Sequence, residues 1–392
     1  MIIGACTHRA DRAVNEINAM LDSLKSVYAP DKRVALWELT VSGSKDRIRL
    51  EGEVDNKEAY RAIVHHIDQK FPIAENRVVL LPEESEGRLV NGMINNSVAN
   101  LRAQPGSRSE LVTQALLGTP IRILKIENGW GLIQIPNGYL GWTNDSEFHP
   151  LDRTELDKFR DAQKIIFSEQ YGVSYTDPEV TSMPVSDLVI GCMLPVTAEK
   201  SDFYQFGYPD GRLAWVKKDQ VIQAGELFDK AITGEGVVEI VRDFNGIPYL
   251  WGGASSKALD CSGLTSNVFF MNGTLLPRDA DQQSLCGKKI TSEYDYHDLV
   301  TGDLLFFGQK ATGSRPEKIT HVAIYLGDGE FIHSAGYHDR VSINSMDSTR
   351  ENYIQEYPEI FIRATRIIGQ TDDDFQPIRE NRFYKEIISN TK

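Results

Sequence analysis

The sequence predicts an α+β multidomain fold: a small N-terminal α/β module, two β-rich units of short strands, and a C-terminal α+β domain that carries the chemistry. Three observations predict it. Apolar residues in the first eighty or so positions switch between helical and alternating spacing. Short apolar runs punctuated by glycine fill the middle of the chain. Beyond position 225, an apolar helix-like run opens with Asp260-Cys261-Ser262-Gly263, and two strand-like runs that follow each hold a histidine. A chain of 392 residues with 41% hydrophobic content has room for two to four domains with sizeable cores.

The first module spans 10–82. Ala13, Ile17, Met20, Leu21 and Leu24 recur at helical spacing, and 34–41 and 48–54 read as strands around the turn Ser42-Gly43-Ser44-Lys45. Ala59, Ile63, Val64 and Ile67 mark a second helix, and 77–81 a further strand. The module holds no apparent catalytic residue, which leaves it a packing or docking role. Ahead of it, Ile3-Gly4-Ala5-Cys6 has the small-residue pattern that precedes the lipidated cysteine of bacterial lipoproteins. Such a signal carries an apolar stretch of roughly 7–15 residues. We read 1–9 as its remnant and expect an envelope location, periplasmic and lipid-anchored through Cys6. An accidental pattern would leave the chain cytoplasmic.

A polar linker at 81–87 leads into the first β-rich unit, 88–150, with strand-like runs at 98–105, 118–124, 129–135 and 138–142. A more divergent set occupies 160–224, with 189–196, 203–208 and 211–216 as its clues. A helical stretch around 157–169 is expected to join the two. The extension 369–392 is polar.

Residues 225–368 carry the candidate chemistry. Cys261 precedes Leu264-Thr265-Ser266-Asn267-Val268-Phe269-Phe270, which places it at a helix N-terminus, where the macrodipole favours a negative sulfur. His321 opens one strand-like run and His333 lies within the next. A thiol nucleophile needs a base to form the thiolate, against an ordinary pKa of about 8.5, and a group to orient that base. Alone, a cysteine before an apolar helix is a buried small hydrophobe. A zinc site is the other alternative, but zinc wants four ligands at clear spacing, and no Cys-x-x-Cys or His-Glu-x-x-His pattern is present. We therefore expect neither metal nor cofactor. Cys192 and Cys286 read as buried thiols, and His297 and His338 as surface residues. The net charge of −14 argues against nucleic acid as a partner.

The motifs Tyr249-Leu250-Trp251-Gly252-Gly253, Asp260-Cys261-Ser262-Gly263, Gly302-Asp303-Leu304-Leu305-Phe306-Phe307 and His321 through His333 stand in the order and spacing of the NlpC family of bacterial cell-wall cysteine peptidases, which 225–368 resembles. The resemblance implies a papain-like domain with Cys261 as nucleophile, His321 as base and His333 as orienting group. It also implies that the Tyr249 hydroxyl stabilises the oxyanion together with the backbone N–H of Cys261. Regions 88–150 and 160–224 resemble bacterial SH3 domains, the second divergently, and 10–82 resembles small BON-like modules.

In a subgroup of the family with two SH3 domains, the γ-D-glutamyl-L-diamino acid endopeptidases, the first SH3 domain walls off one end of the active site. Substrates of that subgroup carry a free N-terminal L-Ala ahead of γ-D-Glu. Carried over, this implies Asp279 as the partner of the amine, Glu110 and Tyr139 as gate residues, and Trp251, Ser262 and Arg278 as further substrate-binding residues. Ala280 departs from the serine common after the Arg-Asp pair, which puts one substrate hydrogen bond in question and not the chemistry. Read bottom-up, Glu110 is equally a solvated carboxylate and Tyr139 a core aromatic. The expected function is hydrolysis of the γ-D-glutamyl–diamino acid bond (diaminopimelate or Lys) of peptidoglycan stem peptides, releasing L-Ala-γ-D-Glu in wall turnover or recycling. The alternatives are an open-groove endopeptidase on intact wall and a non-catalytic wall-binding protein.

Overall fold

The computed structural model describes residues 3–44, 47–71, 74–83, 89–336, 338–372 and 374–388, with the side chains of 3–11, 44 and 47 outside that description. The N-terminal unit comprises α1 (Ile3–Tyr28), β1 (Trp37–Ser44), β2 (Arg47–Val54), α2 (Lys57–Lys70) and β3 (Ala74–Leu80). The sheet order is β1-β2-β3; β2 and β3 are parallel, with α2 as the crossover between them. Asn56 starts α2 by accepting the Ala59 N–H, and Ala59, Ile63 and Ile67, four apart, form its buried stripe. That stripe joins Ile17, Leu21, Ile48 and Leu50 in one apolar core. Cys6 lies within α1, and its side chain is outside the described residues, as are residues 45–46, on which part of the expected turn falls. The expected strand at 34–41 begins only at Trp37. Residues 33–36 leave the sheet instead, and the Arg33 carbonyl accepts the Leu140 N–H of the next unit at 2.7 Å.

Two seven-stranded antiparallel units follow. The first holds β4 (Asn91–Ile94), β5 (Val98–Arg102), β6 (Leu111–Leu116), β7 (Pro120–Glu127), β8 (Trp130–Gln134), β9 (Leu140–Asn144) and β10 (Phe148–Leu151). After α3 (Arg153–Asp161), the second holds β11 (Lys164–Phe167), β12 (Tyr171–Tyr175), β13 (Pro184–Val189), β14 (Met193–Lys200), β15 (Phe203–Gly207), β16 (Leu213–Lys217) and β17 (Val221–Gln223). The strand orders are β10-β4-β7-β8-β9-β5-β6 and β17-β11-β14-β15-β16-β12-β13. By chain order within each unit these are one topology repeated. Among the described residues, neither unit pairs its two end strands, so both are open sheets rather than the closed barrels that the SH3 resemblance implies. The joining helix is also shifted from 157–169. A capping box between Asp152 and Glu155 starts it early, and Lys164-Ile165-Ile166-Phe167, buried throughout, becomes a strand because burial in the second sheet outweighs helical propensity.

The last unit begins with α4 (Ala224–Phe228) and α5 (Gly234–Asp243). A small hairpin, β18 (Ala254–Ser255) and β19 (Ala258–Leu259), leads into α6 (Cys261–Phe270), then β20 (Thr274–Leu275) and α7 (Ala280–Gln283). Six strands form its antiparallel sheet: β21 (Lys288–Thr291), β22 (Leu304–Gln309), β23 (Lys318–Gly327), β24 (Glu330–Ala335), β25 (Arg340–Ser345) and, after α8 (Tyr357–Ile360), β26 (Phe361–Arg366). Their order is β21-β26-β22-β23-β24-β25. Helix α6 packs on β23 and β24, and Leu264, Val268 and Phe269 meet Phe306, Val322, Ile324 and Ile332 in the main core. Asp328 and Gly329, at φ 51° and 77°, make the two-residue turn that sets the β23–β24 register. That register holds the two histidine strands side by side.

Contacts between units converge on this domain. Gly252, at φ +74°, approaches β6 so closely that an added Cβ would lie 2.3 Å from the Leu111 carbonyl oxygen. The C-terminal extension is not simply polar: β27 (Gln376–Pro377) pairs with β20, and α9 (Arg382–Ile387) buries Phe383, Tyr384 and Ile387. Among the described residues, no helix is long and apolar enough to cross a membrane.

Candidate active site

Cys261 is the first residue of α6, and its position is set by the residue before it. Asp260 caps the helix by accepting the Gly263 N–H at 2.7 Å and also accepts the Gly252 N–H at 3.0 Å. Arg278 clamps the same carboxylate, its Nη1 at 3.1 Å from Oδ1 and its Nη2 at 2.8 Å from Oδ2. The remaining Arg278 donors reach the Ser262 Oγ at 2.8 Å, the Thr113 Oγ1 of β6 at 2.8 Å and the Gly253 carbonyl at 3.4 Å. Arg278 is therefore not a substrate-binding residue: only 2% of its side chain is exposed and every donor is spent inside the protein. Ser262 borders the cleft, but its hydroxyl is held by Arg278 and Asp260.

A cleft of about 570 Å³ runs from Cys261 and His321 to the first β unit. His321 is on β23 and His333 on β24; the His321 Nε2 lies 2.7 Å from the His333 Nδ1. The chain of hydrogen bonds assigns the tautomers. Asn344 donates its Nδ2 to the Asn352 carbonyl at 2.8 Å, so its Oδ1 faces the His333 Nε2, 2.9 Å away, as an acceptor. His333 then carries its proton on Nε2 and accepts from the His321 Nε2–H. This leaves the His321 Nδ1 unprotonated, with Cys261 lining the same cleft. Burial, and then His333, holds His321 well below the usual imidazole range, and burial pushes His333 down to about 4. Both imidazoles are neutral at pH 7.

Burial, and then the Asp260 carboxylate, raises the Cys261 thiol to about 12, against the backbone amides of Val322 and Ser262 and the Arg278 charge. The helix-terminus bias toward a negative sulfur thus meets an opposing one, and the neutral thiol–imidazole pair is favoured at rest. Tyr249 lines the cleft, its phenol pushed up to about 12 by burial and by Cys261 and Asp260, so the hydroxyl stays a proton donor. Asn344 carries no local signature in the sequence, although it fixes the tautomer chain. Asn344→Ala is expected to lower kcat by roughly 10–100-fold, part of the roughly 10²–10⁴-fold a positioned base contributes. Steady-state kinetics check this, and an unchanged kcat would remove Asn344 from the relay.

The far end of the cleft is acidic. Tyr139 buries its ring in the first β unit and donates its hydroxyl to the Asp279 Oδ2 at 3.1 Å, so it is both core aromatic and cleft residue. Glu110 is exposed but not free: it accepts the Trp251 indole N–H at 2.9 Å, while Trp251 itself is 64% exposed over the cleft. Burial raises Asp279 above the usual carboxylate range, against Arg278, Arg33 and its own hydrogen bonds. Arg33, from the N-terminal unit, lies 2.8 Å from the Asp279 Oδ2, a contact invisible in the sequence because 246 positions separate the two. His338 is half-buried with its ring centroid 6.3 Å from that of His333, not a surface residue, whereas His297 is exposed and outside the cleft. Among the described residues, no three His, Cys, Asp or Glu side chains are grouped as metal ligands.

The chain is similar to known proteins over both the catalytic domain and the first β unit. Residues 246–361 match the model of the NlpC/P60 family, and residues 97–147 that of a bacterial SH3 domain. A gamma-D-glutamyl-L-lysine dipeptidyl-peptidase of Bacillus cereus is 27% identical over 262 residues, 64% of this chain and 74% of that protein. Dipeptidyl-peptidase 6 of Lysinibacillus sphaericus is 28% identical over 280 residues, 68% of this chain and 96% of its own length. The crystal structure of an NlpC/P60 family protein from Bacillus cereus shares the fold at a TM-score of 0.61 and 23% identity, covering 71% of this chain and 100% of that one.

Proposed function

We propose that this chain, a cysteine peptidase with an NlpC/P60 domain and a bacterial SH3 domain, hydrolyses the γ-D-glutamyl–diamino acid bond of peptidoglycan stem peptides with a free N-terminal L-Ala, releasing L-Ala-γ-D-Glu. One observation carries the reading: a single cleft joins Cys261 and His321 to a carboxylate end, Asp279 and Glu110, that the first β unit helps to wall. An acidic end with a partly buried carboxylate fits an ammonium, since a buried charge is costly unless paired. The relatives named above act, by their names, as dipeptidyl-peptidases. Mass spectrometry of L-Ala-γ-D-Glu-L-Lys and its diaminopimelate counterpart tests the reading. Release of the dipeptide supports it, and inert peptides refute it.

In this mechanism the His321 Nδ1 takes the Cys261 proton as sulfur attacks the glutamyl carbonyl, because burial keeps both groups neutral beforehand. The oxyanion forms against the backbone N–H of Cys261 and the Tyr249 hydroxyl. The His321 imidazolium gives its proton to the leaving amine as the C–N bond breaks. Water, deprotonated by His321, then cleaves the thioester and restores the thiol. His333 orients His321 throughout and stays neutral. Iodoacetamide is expected to stop turnover and a chelator to leave it unchanged; the reverse pattern would favour a zinc hydrolase.

The acidic end implies a pH dependence. Asp279 faces Arg278, Arg33, Tyr139 and Asp281, and its raised pKa means it protonates earlier than an ordinary aspartate as pH falls. The protonated form loses its charge pairing with the ammonium, so KM rises on the acid side. On the alkaline side KM rises again as the substrate amine loses its proton near pH ~8. KM measured across pH checks this, with Asp279→Asn expected to flatten the acid limb. A wild-type acid limb already flat would exclude Asp279 as the amine partner.

The repeated strand topology supports reading the second β unit as a divergent SH3 domain that braces the first. The N-terminal unit, which resembles BON-like modules, is read as a docking element.

A further inference from the structure

Among the described residues, the N-terminal unit lines the cleft through one side chain, Arg33, and that side chain is fully engaged. The Arg33 Nε lies 2.9 and 3.0 Å from the two Asp31 oxygens. Its Nη1 bridges the Asp279 Oδ2 and the Asp281 Oδ1, both at 2.8 Å. Its Nη2 bridges the Asp31 Oδ2 at 2.6 Å and the Asp281 Oδ2 at 2.9 Å. All five guanidinium hydrogens are thus committed to carboxylates.

The segment carrying Arg33 is fastened on both sides. The Arg33 carbonyl accepts the Leu140 N–H, and Val34 packs against the core of the first β unit. On the other side Gln282, from α7, donates to the Asp31 Oδ2 at 2.8 Å.

We infer that Arg33 is a positioning residue for amine recognition: it fixes the Asp279 carboxylate at the acidic end of the cleft and makes the N-terminal unit a working part of the substrate site. The inference rests on the reading of Asp279 as the partner of the substrate ammonium. Charge arithmetic decides the sign of the effect. Arg33 and Arg278 with Asp31, Asp260, Asp279 and Asp281 sum to −2, so the pocket stays attractive to a cation although two cations already face Asp279. Removing Arg33 leaves three carboxylates within the span of one missing guanidinium. Their mutual repulsion is relieved by rotation or protonation, and either removes the fixed acceptor. The loss of preorganised geometry outweighs the removed cation–cation repulsion, because Asp31 and Asp281 already offset the Arg33 charge. Tyr139, which donates to the same Asp279 oxygen at 3.1 Å, and Arg278, 3.9 Å from the Asp279 Oδ1, are then left to hold the carboxylate, with no donor that bridges it to Asp281.

The test compares wild type, Arg33→Ala and Arg33→Lys on L-Ala-γ-D-Glu-L-Lys and its N-acetylated twin, with the rate of iodoacetamide alkylation of Cys261 measured alongside. Arg33→Ala is expected to raise KM for the free-amine peptide at least tenfold, with kcat within twofold and alkylation unchanged. Arg33→Lys should recover part of the KM loss, since an ammonium reaches two carboxylates without the planar fork. A KM within twofold of wild type overturns the inference. A lower KM does too, by making Arg33 a competitor of the substrate. A joint loss of kcat and alkylation in both variants marks a merely structural role and equally overturns it. Wild type alone reports on the parent reading: if it cleaves both peptides alike, amine recognition fails, and the positioning role fails with it.

Discussion

Replacing Cys261 with alanine is expected to reduce turnover by about 10⁴-fold or more while leaving the fold in place, since a covalent nucleophile has no substitute in the cleft. The structural cost is small for identifiable reasons. Cys261 is only half-buried, alanine is the best helix former, and the cap supplied by Asp260 does not involve the sulfur. Stability should therefore shift by no more than about 1 kcal/mol. Peptide cleavage measured beside circular dichroism separates the two effects, and residual activity above a tenth of wild type would sink the assignment. His321→Ala should match Cys261→Ala in turnover. His333→Ala should cost less, because its ring touches the base and not the substrate.

Arg278→Met is expected to act mainly on stability. The guanidinium is the cation that the buried Asp260 carboxylate faces, at 2.8 Å, and Asp260 is 8% exposed. Removing one partner of a buried pair leaves an uncompensated charge, at a cost of about 3–5 kcal/mol. That is a large fraction of the roughly 5–15 kcal/mol by which a domain is stable. Methionine keeps most of the volume, so packing loss is not the cause. The same change releases Thr113 of the first β unit, so contact between that unit and the catalytic domain should loosen as well. Denaturant unfolding measures the cost, and a loss under about 1 kcal/mol would show that Asp260 is satisfied without its cation.

Much of the site was legible in the sequence because its chemistry is local. Asp260-Cys261-Ser262-Gly263 opens a helix, and His321 and His333 lie on strands joined by a two-residue turn, which brings the two histidines together; that Cys261 joins them is what the resemblance to the NlpC family implied. The rest is tertiary. Asn344 and Tyr357 reach His333 from separate elements, with no pattern around either that marks them. Arg33 lies in a stretch that reads as the approach to a strand, yet its carbonyl and side chain are both used by other units. Arg278 stands beside Asp279 in sequence but points into the core, a division that neighbouring charges cannot reveal. Two fold features were readable and were misjudged. Asp152-x-x-Glu155 is a capping box that starts α3 early, and the apolar residues within 375–387 announce a buried extension.

The measurement that tests the account most directly compares kcat/KM for L-Ala-γ-D-Glu-diaminopimelate with that for its N-acetylated twin, using the intact chain and detecting both products by mass spectrometry. Cleavage of the free-amine peptide is expected, with a loss of at least about a hundredfold on acetylation, because the acylated nitrogen has no charge to offer Asp279 and Glu110. Equal cleavage of both peptides would contradict it. The cleft would then be open at its acidic end, and the enzyme an endopeptidase acting within longer wall peptides.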